Sequence, residues 1–314
     1  MSAPEVSVVM GVYNGAEYLE QTLASILSQD GCDLEFIVVD DGSTDDTGRI
    51  LDEWTARDER LRVIHQENTG LTRALIRGCA EAQGEFIARQ DAGDVSLPGR
   101  LSAQSAQLRS MHDSVAVSCF TEFFGPKGEF LYRVEIDAAT LNQSLIRQGR
   151  GLAGPSHHGS VMMRRAAYEV AGGYRDAFYF AQDLDLWSRL IERGRFEVVE
   201  DVLYRARLER NSISGVQTTE QNRLARLIAD ASTARRAGGS ESRFLEAAAD
   251  IGPPAIQGLR RRLARGSYFM GSCLRRRDHV AAAGYFLQAA MLDPTHWRAW
   301  FRLVESKIRS IFWT

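Results

Sequence analysis

The first third of the chain alternates between short apolar runs and longer segments with an apolar residue every three or four positions. The second spacing, as at Leu19, Leu23 and Ile26, predicts amphipathic helices. The short runs, rich in β-branched residues, predict strands. The strands are expected at 6–12, 34–39, 61–64 and 85–88, and the helices at 16–29, 43–54 and 71–82. Strands that are apolar on both faces and alternate with helices predict an α/β fold with a mostly parallel sheet between two helical layers.

Polar residues follow each of these predicted strands. They are Tyr13 and Asn14, then Asp40 and Asp41, then residues 66–68, then Asp91 and Asp94. Ligands of open parallel sheets bind beyond the carboxyl ends of the strands, so we expect one crevice there. Carboxylates in such a crevice suit a cation or a sugar hydroxyl. The alternative for Asp91 and Asp94 is that one of them caps the helix that follows Pro98.

The rest of the chain changes character near residue 214. Before it, strands are predicted at 115–120, 129–134, 160–163 and 196–204, with a Gly-rich loop at 149–159 and a helix at 182–192. After it, only helical spacing is found. The helices at 259–274 and 280–292 are expected to form a hairpin that resembles a tetratricopeptide repeat and docks on a helix at 296–308. We therefore predict one domain over 1–214 and a helical region over 215–314.

Composition limits the class of protein. The chain has 314 residues, of which 44% are hydrophobic and 25% charged, so it can bury a full core and is not disordered by composition. It contains no run of about 18 apolar residues, and its first residues show no basic segment followed by an apolar one. The four cysteines are scattered, with no pair at C-x-x-C spacing. These features predict a cytoplasmic protein with reduced thiols, and they disfavour a zinc site.

Charge is distributed unevenly along the chain. The net charge is −3, but residues 251–314 contain eleven Lys and Arg against three Asp and Glu, so this segment carries +8. A basic segment at the end of an acidic chain predicts an anionic partner, such as a membrane surface. The terminal residues Phe312 and Trp313 would then enter the membrane interface. The alternatives are solvated helices in an arginine-rich chain, with Phe312 and Trp313 packed against the helical hairpin.

Taken together, several segments resemble family-2 glycosyltransferases of the GT-A fold. They are "SVVMGVYNGAEYLEQTLASILSQ", "FIVVDDGSTDDT", "ENTGLTRAL", "GEFIARQDAGD" and "FAQDLDLWSRL". The resemblance covers about residues 5–214. It implies a Rossmann-like GT-A domain and an inverting transferase. It also implies a nucleotide-diphosphate sugar as donor, UDP-linked in many members, and Mn²⁺ or Mg²⁺ as the cation.

The resemblance also implies roles for single residues. Tyr13 would stack near the nucleobase, Asp41 would hydrogen-bond the base, and Arg73 would lie near the phosphates or the ribose. Asp91 begins the Asp-X-Asp motif and would contact the donor, and Asp91 and Asp94 are the candidate metal ligands.

Three further residues lie in the later motifs. Asp183 would be the catalytic base, because a carboxylate at a helix start is favoured in its ionised form and can take the proton of an attacking hydroxyl. Its alternative is an ordinary helix-start charge. His158 and Trp187 are candidate acceptor contacts. The alternatives for these two are a loop histidine with its hydrogen bonds satisfied and a core tryptophan.

The chain departs from the family pattern at two positions. Gly93 stands where the family usually has the metal-binding aspartate, so either Asp91 or Asp94 binds the metal or the metal dependence is weaker. Gln182 replaces the acidic residue before the base. The Gln-x-x-Arg-Trp motif of processive synthases is absent, which favours transfer of one sugar per encounter.

These observations predict a transferase of cell-surface glycan assembly that acts on a glycan or lipid-linked glycan. We expect it in the cytoplasm, peripheral at the inner membrane face, with no nucleic-acid partner. A dehydrogenase would need G-x-G-x-x-G after its first strand, and a nucleotidyltransferase a Gly-rich basic loop there; both are absent. The remaining alternative is a catalytically weak nucleotide-sugar-binding or scaffold protein with a helical partner-binding module. The sugar, the acceptor and the oligomeric state stay open.

Overall fold

The computed structural model describes residues 3–147, 154–210, 219–252 and 258–312. Two compact units are present. The sheet unit comprises Met1–Thr121, Val134–Ala206 and Glu220–Gly252, and the helical unit comprises Glu122–Arg133, Arg207–Thr219 and Pro253–Thr314. The predicted domain boundary between residues 214 and 215 lies outside the described residues.

The described residues form one sheet of nine strands. They are β1 (Val6–Val12), β2 (Leu34–Asp41), β3 (Leu61–Gln66), β4 (Phe86–Arg89), β5 (Val95–Ser96), β6 (Ser114–Phe124), β7 (Phe130–Val134), β8 (Met162–Arg164) and β9 (Arg195–Arg207). Their order in the sheet is β3-β2-β1-β4-β8-β6-β9-β5, with β7 paired to β6. The prediction of a parallel sheet is confirmed for its first part, where β1 pairs in parallel with β2 and β4, and β2 with β3. The pairs β4–β8, β6–β8 and β5–β9 are antiparallel, so the sheet is mixed.

Helices cover both faces of the sheet, which explains why its central strands are apolar throughout. Successive side chains of a strand point to opposite faces. Val8 accordingly packs in one core with Leu23, whereas Val9 packs in the other with Leu75. The helices of this unit are α1 (Ala16–Leu27), α2 (Thr47–Thr55), α3 (Leu71–Ala80), α4 (Arg100–Ser110), α5 (Ala138–Arg147), α6 (Arg165–Val170), α7 (Gln182–Leu190), α8 (Thr219–Arg236) and α9 (Ser242–Ala249), with a 3₁₀ turn at His158–Ser160.

The helical unit is built from α10 (Leu259–Leu274), α11 (His279–Leu292) and α12 (Trp297–Phe312). The predicted hairpin is present, and Asp278 begins its second helix by accepting a hydrogen bond from the Ala281 N–H at 2.8 Å. A Cβ on Gly271 would lie 2.8 Å from the ring of Phe286, so glycine permits the close packing of α10 on α11. Helix α12 packs on α11 through alanine side chains, as expected for a hairpin that needs a neighbour.

The tip of the β6–β7 hairpin also belongs to the helical unit. There the ring of Tyr132 stacks on Phe123 at 4.6 Å and meets Phe269 of α10 edge to face at 5.9 Å. Such aromatic pairs stabilise the fold beyond the effect of the apolar area that they bury. Among the described helices, none is both long enough and apolar enough to cross a lipid bilayer.

Candidate active site

The loops after β1 and β2 are joined by hydrogen bonds at the carboxyl ends of the strands. Asn14 has a positive φ of 51°, and its Oδ1 accepts a hydrogen bond from the Thr44 N–H at 2.8 Å. The Asn14 N–H donates to Ser43 Oγ at 2.9 Å. The neighbouring Tyr13 is exposed. Its ring is therefore available to a flat ligand such as the predicted nucleobase.

Asp41 is buried and fixes the loop between β3 and α3. Its Oδ1 accepts hydrogen bonds from Gln66 and from the backbone and hydroxyl of Thr69, and its Oδ2 accepts one from the Gly70 N–H at 2.7 Å. Both oxygens thus have donors within the protein. A hydrogen bond to a nucleobase would use the remaining acceptor capacity of Oδ2.

Arg73 lies in the first turn of α3 and forms a two-pronged ion pair with Asp176. The Arg73 Nε to Asp176 Oδ1 distance is 2.7 Å, and the Nη2 to Oδ2 distance is 2.9 Å. The pair lines a cavity of about 280 Å³ together with Gly70, Tyr179 and Ile251. A phosphate contact by Arg73 would therefore compete with this ion pair.

Asp91 follows β4 and is paired with a buried arginine at the end of that strand. Arg89 donates to the carbonyl oxygens of Val9 at 2.8 Å and Gln90 at 2.6 Å, and its guanidinium contacts Asp91 Oδ1. Burial opposes ionisation of Asp91, but the positive charge of Arg89 and the hydrogen bond from its guanidinium outweigh this effect and lower the pKa of Asp91 to about 2. Asp91 is therefore a carboxylate at neutral pH.

Asp94 is held by Tyr204 of β9, a residue that is distant from it in the sequence. The antiparallel β5–β9 pairing sets Ser96 opposite Tyr204 and so brings the tyrosine beside Asp94. The Tyr204 hydroxyl donates to Asp94 Oδ2 at 2.9 Å and accepts a hydrogen bond from the Asp91 N–H at 3.1 Å. One buried hydroxyl thus positions both acidic residues.

Gly93 has a backbone reason for replacing the aspartate of the family pattern. Its φ is +92°, a conformation that residues with a side chain rarely adopt. Its N–H donates to Thr22 Oγ1 at 3.0 Å, and the Thr22 hydroxyl donates to the Asp94 carbonyl at 2.9 Å. The turn therefore points the carboxylates of Asp91 and Asp94, rather than a side chain at position 93, to the same point.

His157 completes a group that could hold a metal ion. Its ligand atom and those of Asp91 and Asp94 all lie within 4.8 Å of one another, and no other such group of three occurs in the part of the chain that the structure describes. Burial lowers the pKa of His157, so the ring is neutral. Nδ1 accepts a hydrogen bond from the Gly159 N–H at 3.0 Å, which a metal bound at Nδ1 would replace. Two carboxylates and one imidazole fit Mn²⁺ well, and Mg²⁺ less well because of the nitrogen ligand.

His158 and Trp187, the two predicted acceptor contacts, have partners within the protein. His158 Nε2 lies 3.3 Å from Arg89 Nε, which donates to it, and 2.7 Å from the Tyr174 hydroxyl oxygen. Trp187 is 1% exposed and meets Phe196 edge to face in the core. Its ring presents no open face on which an acceptor sugar could rest. His158 is half-buried, and its contact with the acceptor stays a prediction.

Asp183 lies in the first turn of α7, where the backbone N–H groups of the turn favour its ionised form. Its partial burial and the nearby charge of Asp91 nevertheless raise its pKa above the ordinary value. The charges of Asp91 and Arg89 both act on Asp183, so Asp183 lies within electrostatic range of the acidic group. The structure therefore brings Asp91 and Asp94 together with His157, and the role of Asp183 as the base stays a prediction.

Three residues that shape the site are not evident from the sequence. Arg89 ends an apolar run, Tyr204 ends a predicted strand, and Gly159 lies in a loop with several other glycines. A Cβ on Gly159 would lie 2.0 Å from the Tyr204 hydroxyl oxygen, so only glycine admits the tyrosine. The one available signal was the polar residue Arg89 directly before the Asp91 motif.

Comparison with known proteins decides the family. The model of the family described as Glycosyl transferase family 2 matches residues 7–171, which is more than half of the chain. The chain belongs to glycosyltransferase family 2. Among similar family members, the protein EpsE of Bacillus subtilis (strain 168) is 35% identical over 214 residues, which cover 66% of this chain and 74% of EpsE. An uncharacterized glycosyltransferase of Haemophilus influenzae is 28% identical over 234 residues, which cover 72% of each chain.

Solved structures confirm the predicted GT-A fold of this family-2 glycosyltransferase. Residues 1–349 of TarS from S. aureus, in complex with UDP-GlcNAc, match with a TM-score of 0.59 and 16% identity over 96% of this chain and 89% of that one. The mannosyltransferase PcManGT from Pyrobaculum calidifontis, in complex with GDP-Man and Mn²⁺, matches with a TM-score of 0.53 and 20% identity over 99% and 88%. At these identities the likeness establishes the fold.

Proposed function

We propose that this glycosyltransferase moves one sugar from a nucleotide-diphosphate sugar, UDP-linked in the first instance, to an acceptor hydroxyl with inversion at the sugar carbon. The observation that carries the proposal is the group formed by Asp91, Asp94 and His157, with Asp183 close enough to Asp91 for their charges to interact. A cation site and a separate proton acceptor are the two parts that such a displacement requires.

The acidic group would hold Mn²⁺ or Mg²⁺. When bound, the cation neutralises the charge that develops on the departing diphosphate. Asp91 enters this role already ionised, because the Arg89 guanidinium stabilises its charge. Tyr204 holds Asp94 and the Asp91 backbone in fixed positions, which reduces the reorganisation needed for binding.

Asp183 would act as the general base. The acceptor hydroxyl is a poor nucleophile at neutral pH, so a positioned carboxylate removes its proton as the oxygen attacks the sugar carbon. Such assistance typically contributes about 10²–10⁴-fold to the rate. Attack from the face opposite the diphosphate inverts the configuration. The raised pKa of Asp183 suits this role, because a more basic carboxylate accepts the proton more readily.

The donor would occupy the crevice between Tyr13, Asp41 and Arg73. Tyr13 offers an exposed ring to the base, and Arg73 borders the cavity near Asp176. The complexes of TarS with UDP-GlcNAc and of PcManGT with GDP-Man support a nucleotide-sugar donor and name the two nucleotides to test first. The acceptor would be a glycan or lipid-linked glycan of the cell surface. We place the enzyme in the cytoplasm.

A panel of nucleotide sugars tests the donor. Each sugar is added with Mn²⁺, and the melting temperature of the protein is measured; a true donor stabilises the folded state by mass action. Sugars that stabilise the protein are then assayed for release of the nucleoside diphosphate. Stabilisation without any release, across the panel and with glycan acceptors present, would favour the binding or scaffold alternative over the transferase.

A further inference from the structure

Helix α12 of the helical unit leaves most of its large apolar side chains exposed. Among its described side chains, Ala299, Leu303 and Ser306 are buried, and Ala299 packs on α11. The opposite side carries the larger ones at helical spacing. They are Trp297 (68% exposed), Trp300 (43%), Phe301 (61%), Val304 (57%) and Ile308 (51%). Since an amphipathic helix normally buries its larger apolar face, this stripe marks a surface with a use outside the fold.

Cations border the stripe on both sides. At 100° per residue, Lys307 lies along one edge, and Arg298, Arg302 and Arg309 lie along the other. Glu305 also lies on that second edge and forms ion pairs with Arg302 and, at 3.0 Å, with Arg309. The edges of the helix therefore carry four cations and one carboxylate. The Arg298 guanidinium lies 5.4 Å from the centre of the Trp297 ring, so its charge stands directly beside the apolar face. The segment 251–314, which includes the stripe, carries +8.

We propose that this face of α12, defined by Trp297, Trp300, Phe301, Val304 and Ile308, binds the surface of a bilayer that contains anionic lipid. The helix would lie parallel to the surface, with the stripe at the boundary between headgroups and acyl chains and the cations at the headgroups. Tryptophan is enriched at this depth because its ring is apolar and its N–H polar.

The charge distribution favours a lipid surface over a second copy of the chain. Residues 297–312 contain four Lys and Arg and one Glu, so two copies that paired through this face would each bring a helix of charge +3 to the contact, and like charges would repel. An anionic surface is complementary to the same segment. The stripe lies entirely within the described residues, whereas Trp313, on which the sequence-based membrane prediction partly rests, lies outside them. The proposal does not depend on the proposed transfer reaction.

Sedimentation with vesicles tests the proposal. The full chain is mixed with vesicles of phosphatidylcholine alone or with added phosphatidylglycerol, at low and at high salt. We expect binding to the phosphatidylglycerol vesicles at low salt, with at least a fivefold loss on going to phosphatidylcholine alone or to high salt.

The variant Trp297→Ser with Phe301→Ser removes the apolar contact and leaves the charge unchanged. Trp300 is retained because its Nε1 donates to the Pro294 carbonyl at 3.1 Å and so stabilises the helix start. We expect the partition coefficient to fall at least tenfold, as burial of two large apolar side chains implies. The matched control, Ile146→Ser with Val170→Ser, removes two exposed apolar residues of the sheet unit and should bind like the wild type.

The variant Arg298→Gln with Lys307→Gln tests the charge. Each lost cation should lower the partition coefficient about fivefold. Circular dichroism verifies that each variant is folded. If a double variant is not folded, the single substitutions Trp297→Ser and Phe301→Ser are compared instead.

Three outcomes would overturn the proposal. The full chain does not bind phosphatidylglycerol vesicles at low salt, or the Trp297/Phe301 variant binds as the wild type does. The third is concentration-dependent self-association that this variant abolishes without vesicle binding by the wild type, which would assign the face to a second copy.

Discussion

The hydroxyl of Tyr204 donates a hydrogen bond to Oδ2 of Asp94 at 2.9 Å, across 110 positions of the chain. The same hydroxyl accepts a hydrogen bond from the Asp91 N–H at 3.1 Å. The aromatic ring of Tyr204 stacks on the ring of His157, with the ring centres 5.5 Å apart. A single side chain of β9 therefore touches all three residues of the candidate metal site, although it offers the metal no strong ligand itself.

Tyr204→Phe should weaken metal binding without unfolding the protein. The ring keeps its packing, but Asp94 and the Asp91 backbone lose their shared partner. Loss of such a supporting hydrogen bond typically costs about 10–100-fold in metal affinity. Titration with Mn²⁺ measures the effect. Tyr132→Phe, which removes a hydroxyl from a stacked ring of the helical unit, is the control and should bind Mn²⁺ as the wild type does. Equal affinities of wild type and Tyr204→Phe would show that the hydroxyl does not position the carboxylates.

Gly159→Ala should damage the same site through sterics. The added Cβ would lie 2.0 Å from the Tyr204 hydroxyl oxygen, so the tyrosine or the loop must move. We expect a loss of Mn²⁺ affinity similar to that of Tyr204→Phe, together with a lower melting temperature. The control is Gly284→Ala on α11, whose Cβ meets open space and which should be neutral or stabilising by up to about 1 kcal/mol. An unaffected Gly159→Ala would mean that the loop accommodates a side chain.

Substitution of a residue that binds the metal should reduce the effect of the metal on nucleotide affinity. The wild type should bind the nucleoside diphosphate more tightly with Mn²⁺ than with chelator present. His157→Gln should reduce this difference, and Asp94→Ala should abolish it, because Gly93 provides no substitute carboxylate. Isothermal calorimetry measures the dissociation constant of the nucleoside diphosphate with Mn²⁺ and with chelator. Unchanged binding and transfer in excess chelator would exclude a metal role for this group.

His65 should contribute to stability in a pH-dependent way. Hydrogen bonds to Asp40 at 2.9 Å and Asp52 at 3.2 Å, partly offset by burial, raise the pKa of His65 above its ordinary 6.5. The protonated form is favoured in the folded state, so the contribution is full below the ordinary pKa and is lost as pH rises through the raised one. Because the His65 ring is half exposed, its contribution to the free energy of unfolding should be under about 1 kcal/mol.

The comparison of His65→Gln with the wild type checks this sign. Urea unfolding should show a larger destabilisation at about pH 5.5 than at about pH 8.5. His112→Gln, at an exposed histidine, is the control for the substitution itself. A larger destabilisation at the higher pH would contradict the assignment.

The sequence was sufficient for the parts of the fold that local pattern determines. The strand Val6–Val12 is apolar at nearly every position because both of its faces are buried, and such runs are identifiable without a structure. The position of Asp91 and Asp94 beyond a strand end followed from the same pattern. The antiparallel insertion of β8 between β4 and β6 did not, because a strand of three residues has no distinctive period and its partners are distant in sequence.

The choice between two adjacent histidines illustrates the limit within the site. His157 and His158 have the same chemistry, and the sequence-based assignment chose His158 for ligand contact. A short 3₁₀ turn begins between them, so His157 lies beside the carboxylates and His158 beside Arg89 and Tyr174. Likewise, the β5–β9 pairing that delivers Tyr204 is a long-range contact. Side-chain direction and distant pairing are the two quantities that periodicity does not supply.

The role of Asp183 is the central claim, and Asp183→Asn tests it most directly. Nucleoside diphosphate release coupled to acceptor transfer is measured beside donor affinity, with Asp201→Asn at an exposed position of β9 as the control. Because burial raises the pKa of Asp183, wild-type transfer should also fall as pH decreases through that raised value. We predict that Asp183→Asn lowers the transfer rate about 10²–10⁴-fold while the donor dissociation constant changes only a few-fold. Near-normal transfer by Asp183→Asn would contradict the account, because the proton of the acceptor would then be removed by another group.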